Sequence, residues 1–153
     1  MRCTLRHITY GMALLTLSLV GCASAPYGNF SGAPAKYDEQ MATETAKQLL
    51  ALYRPASTRI NMMQAVARDD AYGTALIKLL HDQGYAVEER AREGKAGDGQ
   101  ATTPGVGLSY VVDQVNQIHY RVTVFVGNQT ISRMFQANNG EFNAIGLWTR
   151  KEQ

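Results

Sequence analysis

The chain has 153 residues, 45% of them hydrophobic, and a formal net charge of +2. The excess charge sits in the first 21 residues, which hold Arg2 and Arg6 and no acid; the remainder carries thirteen basic and thirteen acidic side chains. A neutral body gives no electrostatic case for nucleic-acid binding.

Residues 1–21 read as a cleaved signal peptide. Arg2 and Arg6 form a positive n-region, and Ile8 to Val20 is an apolar run too short to span a bilayer. Leu19-Val20-Gly21-Cys22 then closes the segment with a small residue before a cysteine. That ending resembles the lipobox of bacterial lipoproteins. The resemblance implies that Cys22 becomes the mature N-terminus and is lipidated on sulfur and amine. Each buried methylene of an acyl chain contributes about 0.8 kcal/mol, and two or three chains anchor stably. Ala23, rather than an aspartate, follows the cysteine; by lipoprotein sorting logic this points to the outer membrane, with the body facing the periplasm. Cys3 leaves with the leader, so the mature chain has no disulfide and no cysteine metal site.

Ala23 to Ala35 is rich in Ala, Ser, Gly and Pro. With Cys22 it forms the expected tether, residues 22–35, flexible and with a span of roughly 20 Å. Tyr27 and Phe30 interrupt it, as spacers or as a docking motif. Residues 36–153 then read as a single periplasmic domain. Tyr37 to Tyr53 is a predicted amphipathic helix, with Asp38 as its N-cap and Met41, Ala42, Thr45, Ala46, Leu49, Leu52 and Tyr53 on its apolar face. Pro55 stops it. Thr58 to Gln64 alternates weakly, like a strand. A second helix follows, capped by Asp69 or Asp70, with Tyr72, Ala75, Leu76, Leu79 and Leu80 on its inner face and Gly84 just past its end. Tyr85 to Glu89 completes a β-α-β unit. Arg90 to Pro104 reads as a long, mobile polar loop carrying five charges between Arg90 and Asp98.

The remainder reads as four strands: Val106 to Val115, Ile118 to Val126, Gln129 to Gln136 and Ile145 to Arg150. Gly127-Asn128 is a two-residue hairpin signal. It sets Val124 opposite Ile131 and Tyr120 opposite Phe135. Asn116-Gln117 and Asn138-Asn139-Gly140 mark the flanking turns. The expected fold is α+β, two helices packed on a largely antiparallel sheet of about five to six strands. Its core takes in Leu49, Leu52, Leu76, Leu79, Leu80, Val87, Val122 and Val124.

No catalytic constellation stands out, and the expectation is a protein that is not an enzyme and holds no cofactor or metal. His81 falls in the last turn of the second helix, where it meets the dipole favourably. His119 alternates with apolar residues on a strand, and no further ligand type is spaced to join either histidine. Asp69-Asp70 caps a helix, and Glu88-Glu89 ends a strand beside a charged loop; neither pair has the look of general acid–base machinery. The glycines from Gly94 to Gly107 lack the lysine and hydroxyl residue of a phosphate loop.

Several stretches resemble the conjugal transfer protein TrbH family, lipoproteins of plasmid mating-pair-formation systems. They are Tyr27-Gly28-Asn29-Phe30; Gln48-Leu49 through Leu52-Tyr53-Arg54-Pro55-Ala56, with Thr58-Arg59; Tyr72-Gly73-Thr74-Ala75-Leu76, leading to Gly84-Tyr85-Ala86-Val87; and Gly146-Leu147-Trp148-Thr149. The resemblance implies a non-enzymatic scaffold or anchor in a type IV secretion machine that moves plasmid DNA. It also implies partners among the other Trb proteins of the outer-membrane core complex. Cys22 is the functional residue it carries over. The alternative role is an outer-membrane lipoprotein that assists assembly or transport of an envelope component.

Overall fold

The computed structural model describes residues 27–91 and 103–152. The signal peptide, Cys22 and residues 92–102 of the charged loop lie outside the described residues. Helix α1 runs from Ala35 to Leu52. It begins ahead of the predicted Tyr37 because Pro34, at φ −57° and ψ 142°, already supplies entry geometry; no side chain caps it. Asp38 is therefore inside the first turn and is not the N-cap. Met41, Ala42, Thr45, Ala46 and Leu49 are buried at helical spacing, and the stripe fades to half-buried Leu52 and Tyr53 at the helix end. Pro55 then opens a single 3-10 turn, Pro55–Ser57.

Helix α2, Ala71–Asp82, has its ends written in the sequence. The Asp70 side chain accepts from the Gly73 amide at 2.8 Å, as an N-cap does. At the other end Gly84 takes φ +88°, its amide donating to His81 O at 2.9 Å while the Tyr85 amide donates to Leu80 O at 3.0 Å. That paired closure is a Schellman motif, and it turns the chain straight into the sheet.

Among the described residues seven strands form one mixed sheet. They are β1 (Gly28–Asn29), β2 (Arg59–Met62), β3 (Ala86–Glu88), β4 (Val106–Gln114), β5 (His119–Val126), β6 (Gln129–Asn138) and β7 (Glu141–Glu152). The order is β3-β2-β4-β5-β6-β7, with β1 also on β4. The strands flanking α2 pair directly and in parallel, Ile60 opposite Val87. From β4 onward every pairing is antiparallel. The predicted α+β class stands, with the strand count raised to seven by β1.

The meander keeps its predicted register. Val124 faces Ile131 and Tyr120 faces Phe135. Gly127 adopts φ +59° between the paired Val126 and Gln129, the first central position of a tight hairpin turn. Asn139 and Gly140, at φ +50° and +84°, make the next one, and both positive angles fit a type I′ turn. One sheet face carries the core: Leu108, Tyr110, Val112, Val122, Val124, Val126, Ile131 and Phe135 are buried beneath the helices. Tyr37 stacks on Phe142 at 4.2 Å and Phe142 on Phe135 at 5.6 Å, a column that fixes α1 to β6 and β7. Of the predicted core, Leu49, Leu76, Leu80, Val122 and Val124 are buried. Leu52, Leu79 and Val87 are half-buried, because each sits at the rim of the helix–sheet interface.

Candidate functional site

The segment read as tether is bound to the domain from Tyr27 onward. Gly28 and Asn29 pair in parallel with Val111 and Val112, and the Phe30 amide donates to Val112 O at 2.7 Å. They occupy the part of the β4 edge that β2 leaves after Met62. Asn29 is the hub. Its Oδ1 accepts from the Ser31 amide at 3.0 Å and from Ser31 Oγ at 2.7 Å, and its Nδ2 donates to Asp38 Oδ2 at 2.9 Å. Ser31 Oγ in turn accepts from the Ala33 amide at 3.1 Å. Two buried polar residues, Ser31 and Asp38, thus find their partners within a turn whose other residues are half-buried or exposed.

A second polar group lies behind the first. Tyr110 Oη donates to Asp70 Oδ2 at 2.5 Å, and the Tyr110 amide donates to Gln64 Oε1 at 2.9 Å. Tyr72 Oη donates to Thr45 Oγ1 at 3.0 Å, and the two tyrosine rings meet edge-on at 4.8 Å. The fit is close enough that a Cβ at Gly73 would overlap the Tyr110 hydroxyl and come within 2.7 Å of Val66 Cγ1. Burial pushes the Asp38 carboxyl up from 3.8 to about 6; the Asn29 hydrogen bond opposes this and the Asp70 charge adds to it. Burial pushes both tyrosine hydroxyls far above their ordinary range, helped at Tyr110 by its bond to Asp70. They remain neutral donors. Each hydroxyl and carboxyl here faces a neighbour in the same cluster, so the arrangement joins the N-terminal segment, both helices and β4.

Among the described residues two surfaces stand out as open. The first is the outer edge of β7, the last strand in the sheet. The β6–β7 register shifts between Ser132 and Met134, and Gly146 takes φ +68° there. Arg133 secures the bulge: its guanidinium donates to Gly146 O at 3.2 Å and to Glu44 Oε2 at 3.1 Å, and it lies 5.9 Å from the Trp148 ring. Leu147 is thereby turned outward and is 88% exposed. The second surface is aromatic. Tyr27 packs edge-on against Phe125 at 5.4 Å, on the sheet face away from the helices. The Phe30 ring lies over Gly28, 3.4 Å from where a Cβ would stand, and is 58% exposed.

The predicted lipidation residue, Cys22, lies outside the described residues. His81 is exposed in the last turn of α2. His119 is half-buried on β5, with Nδ1 within hydrogen-bond reach of the Asn116 side chain. Asp70 caps α2 while Asp69 stays exposed; Glu88 ends β3, and Glu89 follows it, exposed. Among the described residues no three His, Cys, Asp or Glu side chains are grouped to hold a metal ion, and no helix is long and apolar enough to cross a membrane.

The family model for the conjugal transfer protein TrbH matches residues 24–152. The chain belongs to the TrbH family. The match starts three residues before the docked segment and ends on the last residue of β7, so it spans the whole described fold. No curated protein and no solved structure matches the chain. Membership makes this TrbH-family chain a component of conjugal transfer, in association with other proteins of a transfer system. The sequence offers Asp69 or Asp70 as the α2 cap, and the structure selects Asp70. Sequence reasoning missed Asn29, Ser31, Gln64 and Tyr110, whose partners lie across the fold and leave no local pattern.

Proposed function

We propose that this TrbH-family chain is an outer-membrane lipoprotein, anchored through Cys22, that acts as a non-enzymatic scaffold in mating-pair formation. The observation that carries the reading is the family match over the whole domain, joined to the Leu19-Val20-Gly21-Cys22 ending upstream. The chemistry of the body agrees. Its buried carboxyls and hydroxyls are hydrogen-bonded to one another, as in a structural joint. The β7 edge with its projecting Leu147 suits strand addition, in which backbone hydrogen bonds supply affinity and a side chain fixes the register. The partners of that edge are the other mating-pair-formation proteins of the core complex, and the acyl chains hold the domain among them at high local concentration.

The test is a plasmid lacking this gene. Mating should fall strongly, return with the wild-type gene and fail to return with Cys22→Ser. Normal mating without the gene, together with an envelope-permeability defect, would transfer the protein to the alternative envelope-assembly role.

A further inference from the structure

The docked N-terminal segment changes where the body sits relative to the membrane. If Cys22 carries the lipid, as the proposed function holds, the free chain is not the whole of residues 22–35. Tyr27 already touches the domain, and Gly28 is in the sheet. Only Ala23 to Pro26 separates the lipidated residue from Tyr27. At about 3.3–3.6 Å per residue, those five steps reach at most roughly 18 Å whatever their conformation.

The side on which the described chain begins bears on the orientation as well. Asn29 turns toward the helices, where it meets Asp38. The ring of Tyr27, the first described residue after Cys22, lies on the opposite sheet face against Phe125. That face holds the aromatic patch, with Phe30 58% and Tyr27 37% exposed. Nearby, where β4 turns into β5, Val115 and Ile118 are 49% and 43% exposed. Beside them Arg121 pairs with Asp113 at 2.7 Å, a polar neighbour suited to a headgroup layer.

We infer that the sheet face bearing Tyr27, Phe30 and Phe125 rests on the phospholipid bilayer, so that the domain is held flat against the membrane with its helices facing away. A reach of at most roughly 18 Å, ending at a Tyr27 whose ring packs on this face, favours this face as the one nearest the lipid. Aromatic rings with a polar neighbourhood are the side chains that settle at a membrane–water boundary. The helices and the β7 edge are then left open to protein partners.

The test uses the full-length lipidated protein in vesicles of bacterial polar lipids. With Cys22 acylated, an introduced cysteine is the sole free thiol for a spin label. Phe30→Cys reports on the patch, and Lys78→Cys, on the exposed side of α2, is the control. Oxygen and a water-soluble nickel chelate are the paired relaxation probes. The label at 30 should show an oxygen-to-nickel accessibility ratio several-fold above that at 78, and lose the difference in detergent-free buffer after the acyl chains are removed enzymatically. Equal, water-like ratios at both positions on a protein shown by mass to be lipidated would overturn the inference and leave the proposed function standing. Protection of position 30 from both probes only when transfer proteins are added would overturn it in favour of a protein contact. A mature protein without acyl mass would overturn both.

Discussion

The two ends of the sheet are built by different means. From β4 to β7 each strand pairs with its neighbour in sequence, through a four-residue turn after β4 and two-residue turns after β5 and β6, over an apolar face of Val122, Val124, Ile131 and Phe135. At the other end, short parallel strands and the N-terminal segment meet around Asn29, Asp38, Asp70 and Tyr110, linked by hydrogen bonds. The meander is held by burial, which is non-directional and tolerates repacking. The junction is held by paired polar groups, each of which needs its own partner in place. The comparison teaches why the N-terminal segment is joined at the polar end: directional contacts give residues 28–31 a single path into the body.

The sharpest break is expected in the meander. Phe135 is 1% exposed and stacks on Phe142. Phe135→Ala should cost roughly 3–5 kcal/mol in a denaturant titration. A loss below about 1 kcal/mol would mean that the aromatic column does not hold α1 on the sheet.

Gly73→Ala probes the junction with one added methyl group. The new Cβ would overlap the Tyr110 hydroxyl and press on Val66. Displacing Tyr110 also weakens its bond to Asp70. The expected loss is about 3 kcal/mol, the upper end for overpacking. In an exposed helix the same change would stabilise by up to about 1 kcal/mol. The sign of the effect therefore tests the packing directly.

These two positions also mark what the sequence made legible. Counting out from Gly127-Asn128 places Phe135 opposite Tyr120, since a two-residue turn fixes register for the whole hairpin. The α2 ends were legible for the same reason, as Asp70 and Gly84 act within one turn of their own helix. Gly73 gave no such sign. Its neighbour Tyr110 is on β4, and nothing near either residue names the other. Asn29 and Ser31 lay in a stretch whose Gly, Ser and Pro content suggests a loose linker. What fixes that stretch is a vacant sheet edge and a buried Asp38 carboxyl, both supplied by the rest of the fold. Leu52, Leu79 and Val87 erred the other way, because periodicity gives the inward direction and not the depth.

The pH dependence separates the two ends more finely. The Asp38 carboxyl is raised from 3.8 to about 6 by burial. Between these values the folded protein binds more protons than the unfolded chain, so stability falls as pH rises. The contribution is fully present below about pH 4 and lost above about pH 6. Asp38→Asn keeps an acceptor for Asn29 and removes the titration. Stability curves of the two proteins should run parallel above pH 7, and only the wild type should gain an extra increment on acidification through this window. Identical slopes would remove Asp38 from the account.

The central claim is that residues 28–31 are part of the fold. Amide hydrogen exchange on the full-length protein measures this at the Phe30 amide, which donates to Val112 O. Protection at Phe30 should be comparable to that of the β4 amides and should fall in Asp38→Ala, where the Asn29 Nδ2 loses its acceptor. Exchange at the rate of an unstructured peptide in the wild type would contradict it, and would return residues 22–35 to a free tether.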